Sequence, residues 1–363
     1  MGVNKNPYPD PWVDDGKLWC YYNVTTTESA TAILNNVNSS NTSFSAMEID
    51  GVSMAIATSH TFSSTGRQLV KYTLKSSTTI GKNGYDQAFF NVTTLVAVYI
   101  PYGVTKIGDS YFRKCTNLVT VIIPETLTTF GTLCFNACTK ININKLQLPY
   151  LTAPGNQAWA DAGKIHKILD YGSVTSMGTG NYSNFTKTRI DTLIIPNTVT
   201  TIKTENFYQC YIKYISVPTS ITAIGKNAFT NNSFVHAVFD MPNLETLATA
   251  SGQNSVWNNS GEIDYMNLGK VTYIPSYCIG GSTKLHKVVI PDTCTSLQAQ
   301  CFNFNHTTVK TEYIVYATTP PTYGSGAILK QPAVIRVPAE SVDTYKTTSG
   351  WSTWANYITA IEE

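Results

Sequence analysis

A segment that returns about every two dozen residues restricts this chain to folds that stack one unit on the next. From Val104 to Pro124 the sequence reads V-T-K-I-G-D-S-Y-F-R-K-C-T-N-L-V-T-V-I-I-P, and Val199 to Pro218 reads V-T-T-I-K-T-E-N-F-Y-Q-C-Y-I-K-Y-I-S-V-P. A third copy opens as I-T-A-I-G-K-N-A-F at Ile221 and closes at Pro242. Pro101, Pro124, Pro149, Pro196, Pro218, Pro242 and Pro291 mark the ends of such units, 22 to 25 residues apart or about double that where a marker is missing. Gly stands in for the missing marker near Tyr171-Gly172 and Leu268-Gly269, which gives about nine coils between Ile80 and Pro320. The coils over 149–173 and 241–269 are the least regular.

Each part of the unit has a physical task. In L-V-T-V-I-I-P, Leu118, Val121 and Ile123 supply a buried face while Thr120 and Ile122 lie on the other side of a short strand. Pro cannot donate to a ladder, so it ends the strand and turns the chain. Gly81, Gly108, Gly131, Gly178 and Gly225 recur at a corner where a left-handed or closely packed backbone is expected, and Lys203 and Gln298 depart from that pattern. Phe112, Phe135, Phe185, Phe207, Phe229 and Phe302 share the next position and are expected to stack as an aromatic spine, with Cys278 at the Phe position of its own coil. Cys115, Cys138 and Cys210 each follow the Phe by three residues, as small buried hydrophobes. A disulfide between Cys115 and Cys138 stays open geometrically, at the cost of strain.

The motif I-G-x-x-x-F-x-x-C-x-x-L-x-x-V-x-I-P resembles the BspA-type leucine-rich repeat of Bacteroidales surface proteins and of phages infecting them, over roughly Ile80 to Ile361. The resemblance implies a mainly β fold: a leucine-rich-repeat solenoid of about nine coils with a small N-terminal β domain and a C-terminal capping segment. The expected organisation is an extended arm over 1–16, a β-rich domain over 17–78, the solenoid over 79–332, and a strand with a Trp-rich helical cap over 333–363. The segments 18–22, 47–52 and 61–74 carry the strand signals of the N-terminal domain, and the last of them resembles the closing strands of immunoglobulin-like modules. Val334 to Pro338 reads as the last strand. After it Val342, Tyr345, Trp351, Trp354, Ile358 and Ile361 recur three or four apart as on a helical face, with Gly350 as a break, and Trp351 and Trp354 read as core that covers the last coil.

Only 13% of residues are charged and the net charge is +2, without a run of Lys or Arg, so nucleic-acid binding has no electrostatic source. No segment has the ~18 consecutive apolar residues of a membrane span, so no membrane insertion is expected. The start at Met1 shows no apolar leader, which fits display on a virion exterior ahead of a bacterial cell surface.

His60, His166, His236, His286 and His306 sit in no metal-ligand or nucleophile pattern, and no pair of Cys has zinc spacing. His166 in I-H-K-I-L and His286 in L-H-K-V-V share one register on the exposed side of equivalent strands. Asp240, Glu262 and Asp264 fall near an irregular coil, and the sequence does not place them in one cleft. No enzyme, metal or cofactor is therefore expected. The function expected is binding or adhesion to a protein or glycan on a host or particle surface, in contact with other virion proteins or as a homo-oligomer, with a purely structural spacer as the alternative. Tyr99, Tyr102, Tyr214, Tyr273 and Trp257 are the candidate contact residues.

Overall fold

The computed structural model describes residues 14–35, 43–81, 87–175, 177, 184–248, 256–281, 283–304 and 308–362. Most of the expected arm, Gly178 and His306 lie outside them. One stack of parallel strands organises the chain. Its rungs are Leu95–Tyr99, Thr120–Ile122, Asn142–Gln147, Lys164–Asp170, Arg189–Ile194, Tyr214–Ser216, Phe234–Asp240, Gly261–Asn267, Lys284–Ile290, Glu312–Val315, Val334–Val337 and Ile358–Ala360. Two joints lie outside continuous ladders: Asn142 N–H donates to Val119 O at 2.8 Å, and Ser233 and Val235 N–H donate to Ile212 O at 3.1 Å and Lys213 O at 2.9 Å.

The solenoid has about 11 turns, more than the nine expected. The Pro markers stop before the end of the ladder, and Val334–Val337 is not its last strand. Ile358–Ala360 pairs with it in parallel, so Ile358 belongs to a strand and not to the helical face expected for it. The difference arises because Trp351, Trp354 and Ile358 keep a helical spacing across a boundary where the helical turns over Trp351–Tyr357 give way to strand.

The inward positions of each coil are filled by the spine. Phe112 and Phe135 stack at 5.1 Å and 2° between ring planes, Phe185 and Phe207 at 6.2 Å, and Phe207 and Phe229 at 5.6 Å. Phe89, Trp159 and Trp257 extend the same column, each stacked on a neighbouring Phe. Ile279, not Cys278, takes the spine position in its coil, since it pairs with Trp257 on one side and Phe302 on the other. The cysteine register is one residue off there because the coil lacks the usual Phe.

All eight cysteines are free and buried, so no bond joins Cys115 to Cys138. Their position does more than fill space. Cys115 Sγ–H donates to Phe89 O at 2.9 Å, Cys138 to Phe112 O at 2.9 Å and Cys210 to Phe185 O at 2.8 Å. In coils without Cys, Thr188, Asn232 and Ser260 donate to Trp159 O, Phe207 O and Phe229 O in the same way. The carbonyls of these six spine residues are thus met by a donor from the following coil, as a buried backbone oxygen requires.

The corner glycines serve close approach. A Cβ on Gly131 would lie 2.3 Å from the Gly108 carbonyl carbon and 2.4 Å from Asp109 N, both backbone, although Gly131 has no left-handed φ.

The N-terminal region joins the solenoid directly. Leu18–Val24 pairs antiparallel with Leu95–Tyr99, and Gly66–Leu74, Phe44–Ile49 and Val52–Met54 follow outward in one six-stranded sheet. Among the described residues this is one sheet with a two-stranded ribbon of Thr31–Ala32 and Ser59–His60. It differs from the two facing sheets of an immunoglobulin-like sandwich in that Leu18–Val24 pairs with the first rung of the stack and so joins these strands to it in one sheet. At the other end Trp351 is buried, its Nε1–H donates to Pro321 O at 2.8 Å, and its ring meets Tyr345 edge-on at 5.0 Å. Trp354 is half-buried and its Nε1–H donates to Tyr323 Oη at 3.0 Å.

Candidate binding surface

Positions between the buried residues of each rung point outward and are free of the packing that fixes the interior. In Phe234–Asp240, Phe234, Ala237 and Phe239 are buried while Val235, His236 and Val238 are exposed. Together with Tyr214 on the preceding rung, 54% exposed, Val235 and Val238 leave large apolar side chains in solvent.

The five candidate contact residues do not form one patch. Tyr102 is 70% exposed at the turn after Leu95–Tyr99, and Tyr214 lies on the main stack. Tyr273 is half-buried on a separate three-stranded sheet at the corner of the coil. Tyr99 is 7% exposed and packs edge-on against Tyr21 at 5.8 Å, so it offers little surface. Trp257 is fully buried and stacks on Phe229 at 6.0 Å, which corrects its reading as a contact residue. It occupies a Phe position of the spine, and the irregular coil before it hides that register in the sequence.

A groove of about 540 Å³ lies where the N-terminal strands meet the first coils. Hydroxyl and amide side chains, among them Thr25, Thr93, Asn23 and Asn117, line it together with the apolar Ala30, Ala32, Val96 and Val119, with Lys140 at its side. Lys140 Nζ donates to Asn117 Oδ1 at 2.7 Å, and Asn117 Nδ2 donates to Thr93 O at 2.8 Å, so the polar wall is ordered by bonds between successive coils.

The histidines pair with carboxylates across rungs. His166 Nδ1 lies 3.0 Å from Asp191 Oδ2, and Lys164 Nζ lies 3.0 Å from the same oxygen. Burial raises the Asp191 carboxyl, but the hydrogen bond and charge of Lys164 and the charge of His166 outweigh it and hold the group below its ordinary range. Further along, His236 Nδ1 is 2.9 Å from Asp264 Oδ1 and 3.9 Å from Glu262 Oε1, and His286 Nε2 is 2.8 Å from Glu262 Oε1. The hydrogen bond to Asp264, then the charges of Asp264 and Glu262, raise the His236 imidazole above its usual value. These histidines lie on the surface, and stacking brings them together with carboxylates 24 to 28 positions away in the sequence. Asp240 stays outside this group and accepts from Asn267 Nδ2 at 2.9 Å.

Residues 59–184 and 179–309 match the BspA type leucine rich repeat region, in six copies. The chain belongs to the BspA-type leucine-rich-repeat family. Solved structures of similar form include the leucine-rich repeat protein of T. pallidum, at 18% identity and TM-score 0.34 over 42% of this chain and 69% of that one. A leucine-rich repeat protein from Bacteroides ovatus matches at 13% identity and TM-score 0.40 over 92% and 98% of the two chains. A leucine rich cell surface protein from Faecalibacterium prausnitzii matches at 21% identity and TM-score 0.31 over 61% and 63%. No match is found among curated proteins. None of the described helices of this BspA-type chain is long and apolar enough to cross a membrane.

Proposed function

We propose that this chain is a non-enzymatic adhesion protein on an outer surface and that it binds a hydroxyl-rich glycan in the groove between its N-terminal strands and its first coils. The observation that carries this reading is the lining of that groove: amides and hydroxyls held in place by bonds from coil to coil, beside a lone lysine. A wall that sets such groups among small apolar side chains suits a sugar, whose hydroxyls both donate and accept while its ring faces are apolar. The stacked face gives the groove a stiff support ~50 Å long at ~4.8 Å per rung. The exposed Tyr102 and Tyr214 are secondary contact points, Tyr273 a weaker one. Display on a virion exterior and display on a bacterial cell surface use the same groove, and mass spectrometry of particle and envelope fractions separates them.

A glycan array probed with the whole chain tests the proposal. The expected result is binding to at least one glycan class, reduced tenfold or more by Asn117→Ala with Lys140→Ala, at an unchanged unfolding midpoint. Binding that survives the double change removes the groove from the proposal, and an array without any signal removes the glycan.

A further inference from the structure

We propose that His236, Glu262 and Asp264 form a site for a divalent first-row transition ion of the zinc type, on the outer face of the solenoid. Their ligand atoms all lie within 4.8 Å of one another. In a tetrahedral site with bonds near 2.1 Å the donors stand ~3.4 Å apart, so the three need to move by little more than an ångström. Glu262 and Asp264 are two residues apart on Gly261–Asn267, with the fully buried Ile263 between them as an anchor. His236 comes from the rung before. Both carboxylates and the imidazole are thus mounted on hydrogen-bonded strands, which hold a site more firmly than loops do.

The backbone at His236 is unusual in a way that serves this arrangement. Among the described residues it is the one non-glycine residue within a strand that has a left-handed φ, at 52°. The register against the next rung slips on both sides of Ala237, between Phe234 and Ala237 and again between Ala237 and Val238. This bulge carries the imidazole toward Asp264, where Nδ1 lies 2.9 and 3.2 Å from the two carboxylate oxygens.

A second layer supports the first. His286 Nε2, at 2.8 Å, orients Glu262 Oε1, as the outer partners of metal-binding carboxylates do. Lys284 Nζ stands 3.8 Å from Glu262 Oε2, beyond direct hydrogen-bond distance, and offsets part of the negative charge. One imidazole with two carboxylates suits zinc and its neighbours, whereas calcium and magnesium prefer oxygen alone. The side chains of His236 and Asp264 are 64% and 43% exposed, so a bound ion keeps open positions for water or for a donor atom on a docking partner. On binding, the ion replaces the Nδ1 proton, which moves to Nε2 or leaves to water.

The same solenoid holds a comparison. His166 and Asp191 form a similar pair at 3.0 Å, but there Lys164 is bonded to the same carboxylate oxygen at 3.0 Å, and Arg189 stands two residues before Asp191 where Glu262 stands before Asp264. A cation at that place repels a metal ion, so the inference concerns the first site alone.

The test is calorimetric titration of the whole chain, stripped with EDTA, with zinc chloride, and cobalt absorption as a second readout. The expected result is one ion per chain with a tetrahedral or five-coordinate cobalt band. His236→Ala or Asp264→Asn should abolish it, His286→Ala should weaken it about tenfold, and His166→Ala should leave it unchanged. Circular dichroism confirms that each variant is folded. No heat and no cobalt band in the parent chain, a site that survives His236→Ala, or one lost with His166→Ala overturns the proposal.

Discussion

Truncating the centre of the aromatic spine should cost more than its apolar area alone would predict. Phe207 is fully buried and lies between Phe185 at 6.2 Å and Phe229 at 5.6 Å, both stacked within 13° of parallel. Phe207→Ala removes a buried ring, for which ~3–5 kcal/mol is typical, and the two ring pairs account for ~0.5–1.5 kcal/mol each of that loss. A cost of ~4 kcal/mol lowers the folding equilibrium by about three decades. Because each coil contacts only its neighbours, the loss also weakens the coupling between the halves on either side. Guanidinium unfolding followed by far-ultraviolet circular dichroism should therefore show a lower midpoint and a split or broadened transition. Phe207→Trp should cost less, at most ~3 kcal/mol, because Trp159 and Trp257 already occupy this column. A cost below ~1 kcal/mol for the Ala variant, or a Trp variant worse than Ala, would refute the idea of a stacked spine that holds the coils together.

The donor ladder predicts that Thr188→Val, which takes away the hydroxyl bonded to Trp159 O, costs ~1–3 kcal/mol in a urea titration, while Thr188→Ser costs less because it keeps the donor. All eight cysteines are buried, and burial pushes the Cys294 thiol up to about 11 and raises Cys20, Cys115, Cys134, Cys210, Cys278 and Cys301 as well, so a thiol reagent at neutral pH should label none of the eight until the chain unfolds. Gly131→Ala should destabilise by more than ~1–3 kcal/mol in thermal melts, since its Cβ overlaps rigid backbone of the preceding coil and not a movable side chain. Asp191 has a folded value below its ordinary 3.8, so its contribution is complete above pH 3.8 and disappears as pH falls through the lower folded value. Asp191→Asn should accordingly lose up to ~1 kcal/mol at pH 7, with the gap to the parent chain closing in strong acid; a gap that is constant with pH would show that the charge plays no part.

The interior of this solenoid was legible in the sequence because every coil must solve the same packing problem. Leu118, Val121 and the Phe column recur at fixed positions, and their burial follows from the repeat alone. The errors arose where one residue solves that problem in another guise. Trp257 fills a Phe position but reads as a surface aromatic after an irregular stretch, and Ile279, not the neighbouring Cys278, replaces the missing Phe. The count of coils fell short because it relied on Pro, which only marks strand ends, and the ladder needs no Pro to continue into Ile358–Ala360.

Outward positions obey no such rule, and there a residue's meaning depends on its neighbours one coil away. His286 and Glu262 are 24 residues apart, and His166 and Asp191 fall 25 apart, so a count by the regular period finds both pairs. His236 and Asp264 are separated by 28, because the coil between them is longer and the strand bulges at His236. A period taken from the regular coils therefore sets His236 against the wrong residue. The sites of such a chain have two coordinates, the position within a coil and the coil itself. A linear motif search sees only the first, which is why four side chains of ligand type on three successive rungs look unrelated until the rungs are stacked.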